Sequence, residues 1–402
     1  MLKFEDALAQ LLAAAQPLTQ VETVDTAAAH GRVLAQDLVS PLDVPPLDNS
    51  AVDGYALRVG EVTAAGIRLP VSQRIPAGSV GIPLAPGSAA RIFTGAPVPP
   101  GADGVVMQEL CSHEGEGVVV NHLPKLGENI RRAGEDVARG GPLLAAGSRL
   151  RPQDVAFAAS VGLAQIPVFR PLRVAVFFTG DELHMPGEPL VPGTIYNTNR
   201  FALVALLQRL GCEVRDLGQV PDDLEATRAA LRRGGAESDV ILTSGGVSVG
   251  EEDHVKAAVR AEGRLDLWQI GIKPGKPLAF GQVRREDGGA VDFIGLPGNP
   301  VSAFVTFLVL VRPFLLRRQG AARVTPVAYR LLAADAWLKG DRRREFLRAT
   351  LNEDGAVSIY PHQGSGVMAS NVHGDGLLDI PPQTLVQQGD WVRFLPFSEL
   401  LN

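Results

Sequence analysis

Cysteine is nearly missing from this sequence. Cys111 and Cys212 are its only two in 402 residues. They are too few and too far apart for a disulfide framework or a CxxC zinc site, and both read as small buried residues. A large charge excess is missing as well. The formal net charge is −6, which argues against a nucleic-acid footprint or attraction to an anionic membrane. Anion binding must then come from local clusters. Long apolar runs are also absent. The longest, Phe304 to Val311, is too short to span a bilayer. The first residues, MLKFEDALAQLLAAAQ, contain acids and no export-type apolar region, and they read as an amphipathic helix. There is no Walker A loop, no GxGxxG fingerprint and no internal repeat. The expectation is a cytoplasmic protein with neither nucleic acid nor membrane as a partner.

What is present is ordinary globular material. Apolar residues make up 46% and charged residues 20%, with length for several domains. Residues 40 to 140 are dense in Gly and Pro, with short runs such as GVVM and VVV. That texture predicts a β-rich domain with long loops. RPQD at 151 opens a helix that Gly162 closes. From residue 172 the pattern alternates. LRVAVFF, CEVRDLG, DVILTSGG and FIGLPG read as strands, and the segments between and after them as helices. This predicts a doubly wound α/β domain with a parallel sheet. RREFLRATL, AVSIYP and DWVRFLP predict a small all-β tail.

Ligands of open parallel sheets bind beyond the C-terminal strand ends. Three such ends carry unusual residues: FFTGDELHMPG, LTSGGVSVGEED and IGLPGNPVSA. Gly245 and Gly246, followed by Ser248, let backbone N–H groups approach an anion, although a plain strand-to-helix turn would use the same glycines. Asp181, Glu182 and Asp253 lie at two strand ends, and Asp222 and Asp223 open a helix after a third. Converging carboxylates call for a cation, and hard oxygen ligands suit Mg²⁺. For Asp222 and Asp223 helix capping is the competing reading. In IKPGKP, Lys273 and Lys276 sit in a stiff turn that suits an anion clamp. Ser302 starts a helix. Arg343, Arg344 and Ser365 come from the tail. In the β-rich domain, PPLDNSAVDGYA, RIFTGAPVPPGAD and GENIRRAGED read as binding loops.

Together with YNTNR and HQGSG, these motifs run in order through nearly the whole chain. The set resembles the molybdopterin molybdenumtransferase family, which includes bacterial MoeA proteins and the E domain of gephyrin. Val52 is a light departure, where Met is commoner. The resemblance implies an elongated, four-domain homodimer. Its parts would be an N-terminal helix (1–20) packed on the α/β domain, a linking domain (21–39 and 140–164), a β-rich domain (40–139), a molybdopterin-binding α/β domain (165–320) and a C-terminal β-barrel-like domain (321–402). It implies a transferase that inserts molybdenum from molybdate into adenylylated molybdopterin and releases AMP. Asp181, Glu182, Asp222 and Asp253 would hold Mg²⁺. Lys273, Lys276, Ser302, Ser365 and one of Arg343 or Arg344 would hold molybdate or the pterin phosphate. Asp53, Thr94, Arg131 and Asp136 would complete the site, from the other subunit. Molybdopterin adenylyltransferase and molybdoenzyme maturation factors are candidate partners. The rival functions are that adenylyltransferase activity itself and a gephyrin-like scaffold. The first needs only the α/β domain, so residues 40 to 140 argue against it, and the intact acids and lysines argue against the second.

Overall fold

Alternating strands and helices after residue 172 build a six-stranded sheet in the computed structural model, which describes residues 1–246 and 254–401. Four strands are parallel: Glu213–Val220, Arg173–Thr179, Val240–Ser244 and Ala290–Leu296, side by side in that order. The last three are buried and rich in β-branched and aromatic residues, which suits a sheet covered on both faces, while Glu213–Val220 lies more exposed at the edge. The sheet is not wholly parallel, which corrects the sequence expectation. Pro277–Arg284 and Gly263–Gln269 extend it as antiparallel strands. The reason is connection length. Residues 285 to 289 link two neighbouring strands, far short of the dozen or so a parallel crossover needs.

Helix signals were read correctly in type. Asn197 caps Thr198–Arg209 through the Arg200 N–H, and Asp223 caps Leu224–Glu237 through the Ala226 N–H. The helical run Pro300–Arg318 is long and apolar enough to cross a membrane, yet 83% of its apolar window is buried within the molecule. It is a core helix. The N-terminal helix Phe4–Ala14 places Ala7 and Leu11 in the same core as Phe314 and Leu315.

Three further units surround this domain. Val21–Asp25 pairs antiparallel with Gln165–Phe169, and with the helix Pro152–Ser160 it encloses a small core around Leu34, Ala158 and Val168. Residues 54 to 120 supply a six-stranded, mostly antiparallel β unit. The C-terminal sheet is built on Arg344–Leu351, Gly376–Ile380, Trp391–Pro396 and Tyr329–Leu332. At its other edge it takes in Ile272–Lys273, a piece of the α/β domain, which pairs parallel with Arg344–Glu345. That short ladder fixes the IKPGKP turn against the C-terminal domain.

Candidate active site

A cleft of about 850 Å³ lies over the C-terminal ends of the parallel strands. Each wall is a strand end. Thr179, Gly180 and Glu182 follow the first strand, Ser244 to Gly246 the second, and Pro297 to Pro300 the third. Asp222, in the turn after Val220, adds a carboxylate. Lys273, Lys276, Arg343 and Ser365 close the opposite side. The Ser365 carbonyl accepts from the Val301 N–H at 3.0 Å, which ties the HQGSG loop to the start of the helix Pro300–Thr306. Ser302, in the first turn of that helix, is buried and lines the cleft.

Packing dictates the paired glycines. Gly245 (φ +101) and Gly246 (φ +62) adopt left-handed backbone. A Cβ on Gly245 would fall 2.5 Å from the Thr179 carbonyl oxygen, and one on Gly246 would fall 2.4 Å from Val255 Cγ2. The bare backbone is needed first by the neighbouring strand and helix. Ser248 and Asp253 lie outside the described residues.

The lysine clamp needs correction. Lys273 Nζ is 2.9 Å from Glu345 Oε1 and 3.4 Å from Asp341 Oδ2. Burial works against its ammonium, but these two carboxylates outweigh it and hold its pKa above the usual lysine value. Arg343 makes a two-pronged contact with Asp341, at 3.1 Å from Nε and 2.9 Å from Nη2. Those hydrogen bonds hold the Asp341 carboxyl well below the usual range. Two cations here thus meet two acids. Lys276 differs, having no ion-pair partner among the described residues.

The acids converge only in part. Glu182 and Asp222 line the cleft. Asp181 sits beside Asp222, each backbone N–H donating to the other's carboxylate at 3.3 Å. Among the described residues no group of three or more Asp, Glu, His or Cys is gathered tightly enough to hold a metal by itself.

Family models match in the same order as these units. The MoeA N-terminal region (domain I and II) covers residues 2–162, a probable molybdopterin binding domain covers 175–317, and the MoeA C-terminal region (domain IV) covers 330–397. A molybdopterin molybdenumtransferase of Haemophilus influenzae is 39% identical over 100% of both chains. The chain belongs to the MoeA family. Molybdopterin molybdenumtransferase 2 of Mycobacterium tuberculosis is 37% identical over 93% of each chain. The crystal structure of a molybdopterin biosynthesis moeA protein from Pyrococcus horikoshii OT3 superposes with a TM-score of 0.84, at 31% identity, covering 98% of this chain and 100% of that one.

In this MoeA-family chain the two tail arginines separate. Arg343 lines the cleft. Arg344 does not. It grips Asp379 through Nε and Nη2, pairs with Glu5, and its guanidinium stands 5.0 Å from the Phe4 ring centroid. It joins the N-terminal helix to the C-terminal sheet. The β-rich loops stand apart from the cleft within this chain. Thr94 donates to Asp53 Oδ1 from its N–H at 2.8 Å and its hydroxyl at 2.7 Å, which lowers the Asp53 pKa. Arg131 pairs with Asn49 across a two-residue ladder, and the Asp136 N–H donates to the Val44 carbonyl. The Gly95 N–H donates to the Ser50 carbonyl and the Ser50 N–H to the Ala96 carbonyl, which joins Asp53, Thr94 and Arg131 into one loop cluster. None of the four lines the cleft.

Sequence reasoning missed Asn199, Arg348, Asp341 and Glu345. The first stands in the quoted YNTNR. The acids flank the arginines in DRRREF, a mixed-charge run that could have warned of internal pairing. Arg348 is wholly buried. Burial pushes its pKa down to about 10. Its guanidinium donates to Ser370 Oγ and to the Gly364 carbonyl, directly behind the HQGSG loop.

Proposed function

We propose that this MoeA-family chain transfers molybdenum from molybdate to adenylylated molybdopterin, with release of AMP. The observation that carries the reading is the cleft, where Lys276 has no acid partner among the described residues, Ser302 begins a helix, and Ser365 adds a hydroxyl from the C-terminal domain. Such a site suits oxyanions. Lys276, Ser302, Ser365 and Arg343 would hold molybdate or the pterin phosphate. Gly245 and Gly246 would border the pterin.

Magnesium is the cation we assign. Glu182 and Asp222 would hold it, with Asp181 supporting Asp222. Two carboxylates fit an ion that retains water and draws its remaining oxygens from phosphate. When bound, it would neutralise charge on the pyrophosphate. Asp53, Thr94, Arg131 and Asp136 would reach the cleft from a second copy, since their loop cluster lies outside it in one chain. Light scattering at micromolar protein should therefore give about twice the chain mass. A fully active monomer would remove the shared site. Cytoplasmic location, and exchange with a molybdopterin adenylyltransferase and with molybdoenzyme maturation factors, complete the proposal.

The deciding experiment mixes purified protein with adenylylated molybdopterin, molybdate and Mg²⁺. AMP should appear together with molybdenum on the pterin. Pyrophosphate release from ATP and unmodified pterin, with the AMP group moved onto the pterin, would point to the adenylyltransferase reading instead.

A further inference from the structure

Asn199 sits in the first turn of the helix Thr198–Arg209 and lines the cleft. Its amide nitrogen donates twice, to Ser244 Oγ at 2.8 Å and to the Gly298 carbonyl at 2.7 Å. One side chain thus ties together the segments that follow three different strands. The network also fixes which way the amide points. The Gly298 carbonyl can only accept. Ser244 spends its hydroxyl hydrogen on the Pro297 carbonyl at 2.8 Å, so it too must accept from Asn199. Both N–H bonds of the amide are consumed inside the protein. Oδ1 is left over. It has no hydrogen-bond partner among the described residues and is not one of the enclosed unpaired atoms.

We infer that Asn199 determines specificity by presenting Oδ1 as a fixed acceptor to an N–H or O–H group of the adenylylated pterin. This rests on the function proposed above and says which part of the substrate meets this wall. A carbonyl oxygen that cannot rotate into a donor repels phosphoryl and molybdate oxygens. The oxyanions are then steered toward Lys276, and a neutral donor of the nucleotide or pterin occupies the Asn199 side. A ligand lacking that donor leaves an acceptor unpaired, which is penalised more than a missing apolar contact.

The test is calorimetric binding of AMP and of pterin, each beside an analogue stripped of a donor. The analogues are AMP without a ribose hydroxyl, AMP with a dimethylated adenine amine, and pterin with a dimethylated amine. Each is titrated into wild type, Asn199→Ala and Asn199→Asp, with melting temperatures recorded. One analogue should bind wild type about tenfold more weakly than its parent. Which analogue does so names the ribose, the adenine or the pterin as the source. That gap should close on Asn199→Ala. Asn199→Asp keeps Oδ1 but sets a second oxygen against the Gly298 carbonyl, so its melting temperature reports what the lost cross-link costs. A purely structural role would weaken all ligands alike and leave the gap unchanged. A gap of equal size on wild type and Asn199→Ala overturns the inference. If Asn199→Ala does not fold, Asn199→Ser takes its place, short of the ligand but able to bond one inner acceptor. Wild type that binds neither AMP nor pterin would instead sink the proposed function.

Discussion

Replacing Lys276 with Ala raises the molybdate needed for half-maximal rate by about 10- to 100-fold, while affinity for the adenylylated pterin holds. The magnitude is that of one charge-assisted hydrogen bond, about 1.5–3 kcal/mol. Lys276 carries the effect because its neighbours are already answered. Lys273 faces Glu345 and Asp341, and Arg343 faces Asp341. Those two cations are shared with two acids, so the unshared charge that a ligand meets is that of Lys276. Steady-state rates against molybdate, at fixed pterin and several salt concentrations, check this. An unchanged molybdate requirement would take Lys276 out of the anion site. Lys273→Ala should behave differently, lowering stability because Glu345, buried at 1% exposure, loses its counter-charge.

Asp239→Asn should cost about 3 kcal/mol of stability at neutral pH, the scale for breaking one side of a buried ion pair. Asp239 begins the central strand region and is 6% exposed. Arg170 reaches both of its oxygens, at 2.7 and 2.8 Å, and the Arg173 N–H adds a bond at 2.8 Å. Burial opposes the carboxylate, but these bonds and the two guanidinium charges outweigh it, so the Asp239 pKa is lowered. Its stabilisation is therefore full above the unfolded carboxylate value near 3.8 and is lost as pH falls through the lower folded value. Urea midpoints of wild type and variant should differ at pH 7 and draw together in strong acid. A gap of equal size at every pH would mean that shape, not charge, is what Asn fails to supply.

Much of this was legible because local signals carried it. Asn197 and Asp223 cap helices as their positions suggested, and the strand ends that looked odd in sequence all border one cleft. What sequence did not reveal depends on distant partners. Nothing near Lys273 announces that Asp341 and Glu345 will face it, since that meeting needs the ladder between Ile272–Lys273 and Arg344–Glu345. Arg344 was indistinguishable from Arg343 until the fold set it against Glu5 and Asp379, both distant in sequence. The antiparallel extension of the sheet escaped for another reason: Pro277–Arg284 has the same apolar character as the parallel strand Ala290–Leu296 beside it.

The ladder between Ile272–Lys273 and Arg344–Glu345 also bears on how substrate gets in. Swinging the C-terminal domain away from the cleft would unzip those main-chain bonds and pull the Glu345 carboxylate off Lys273. It would leave the Val301 N–H without the Ser365 carbonyl as well. That wall is a riveted jamb, not a door. Another side of the cleft carries a ladder of the same length, Leu183–His184 with Ile195–Tyr196, whose residues are exposed or half-buried. Whatever binds in the cleft therefore meets a wall fixed by main-chain bonds and ion pairs on one side and the exposed Ile195 and Tyr196 on another.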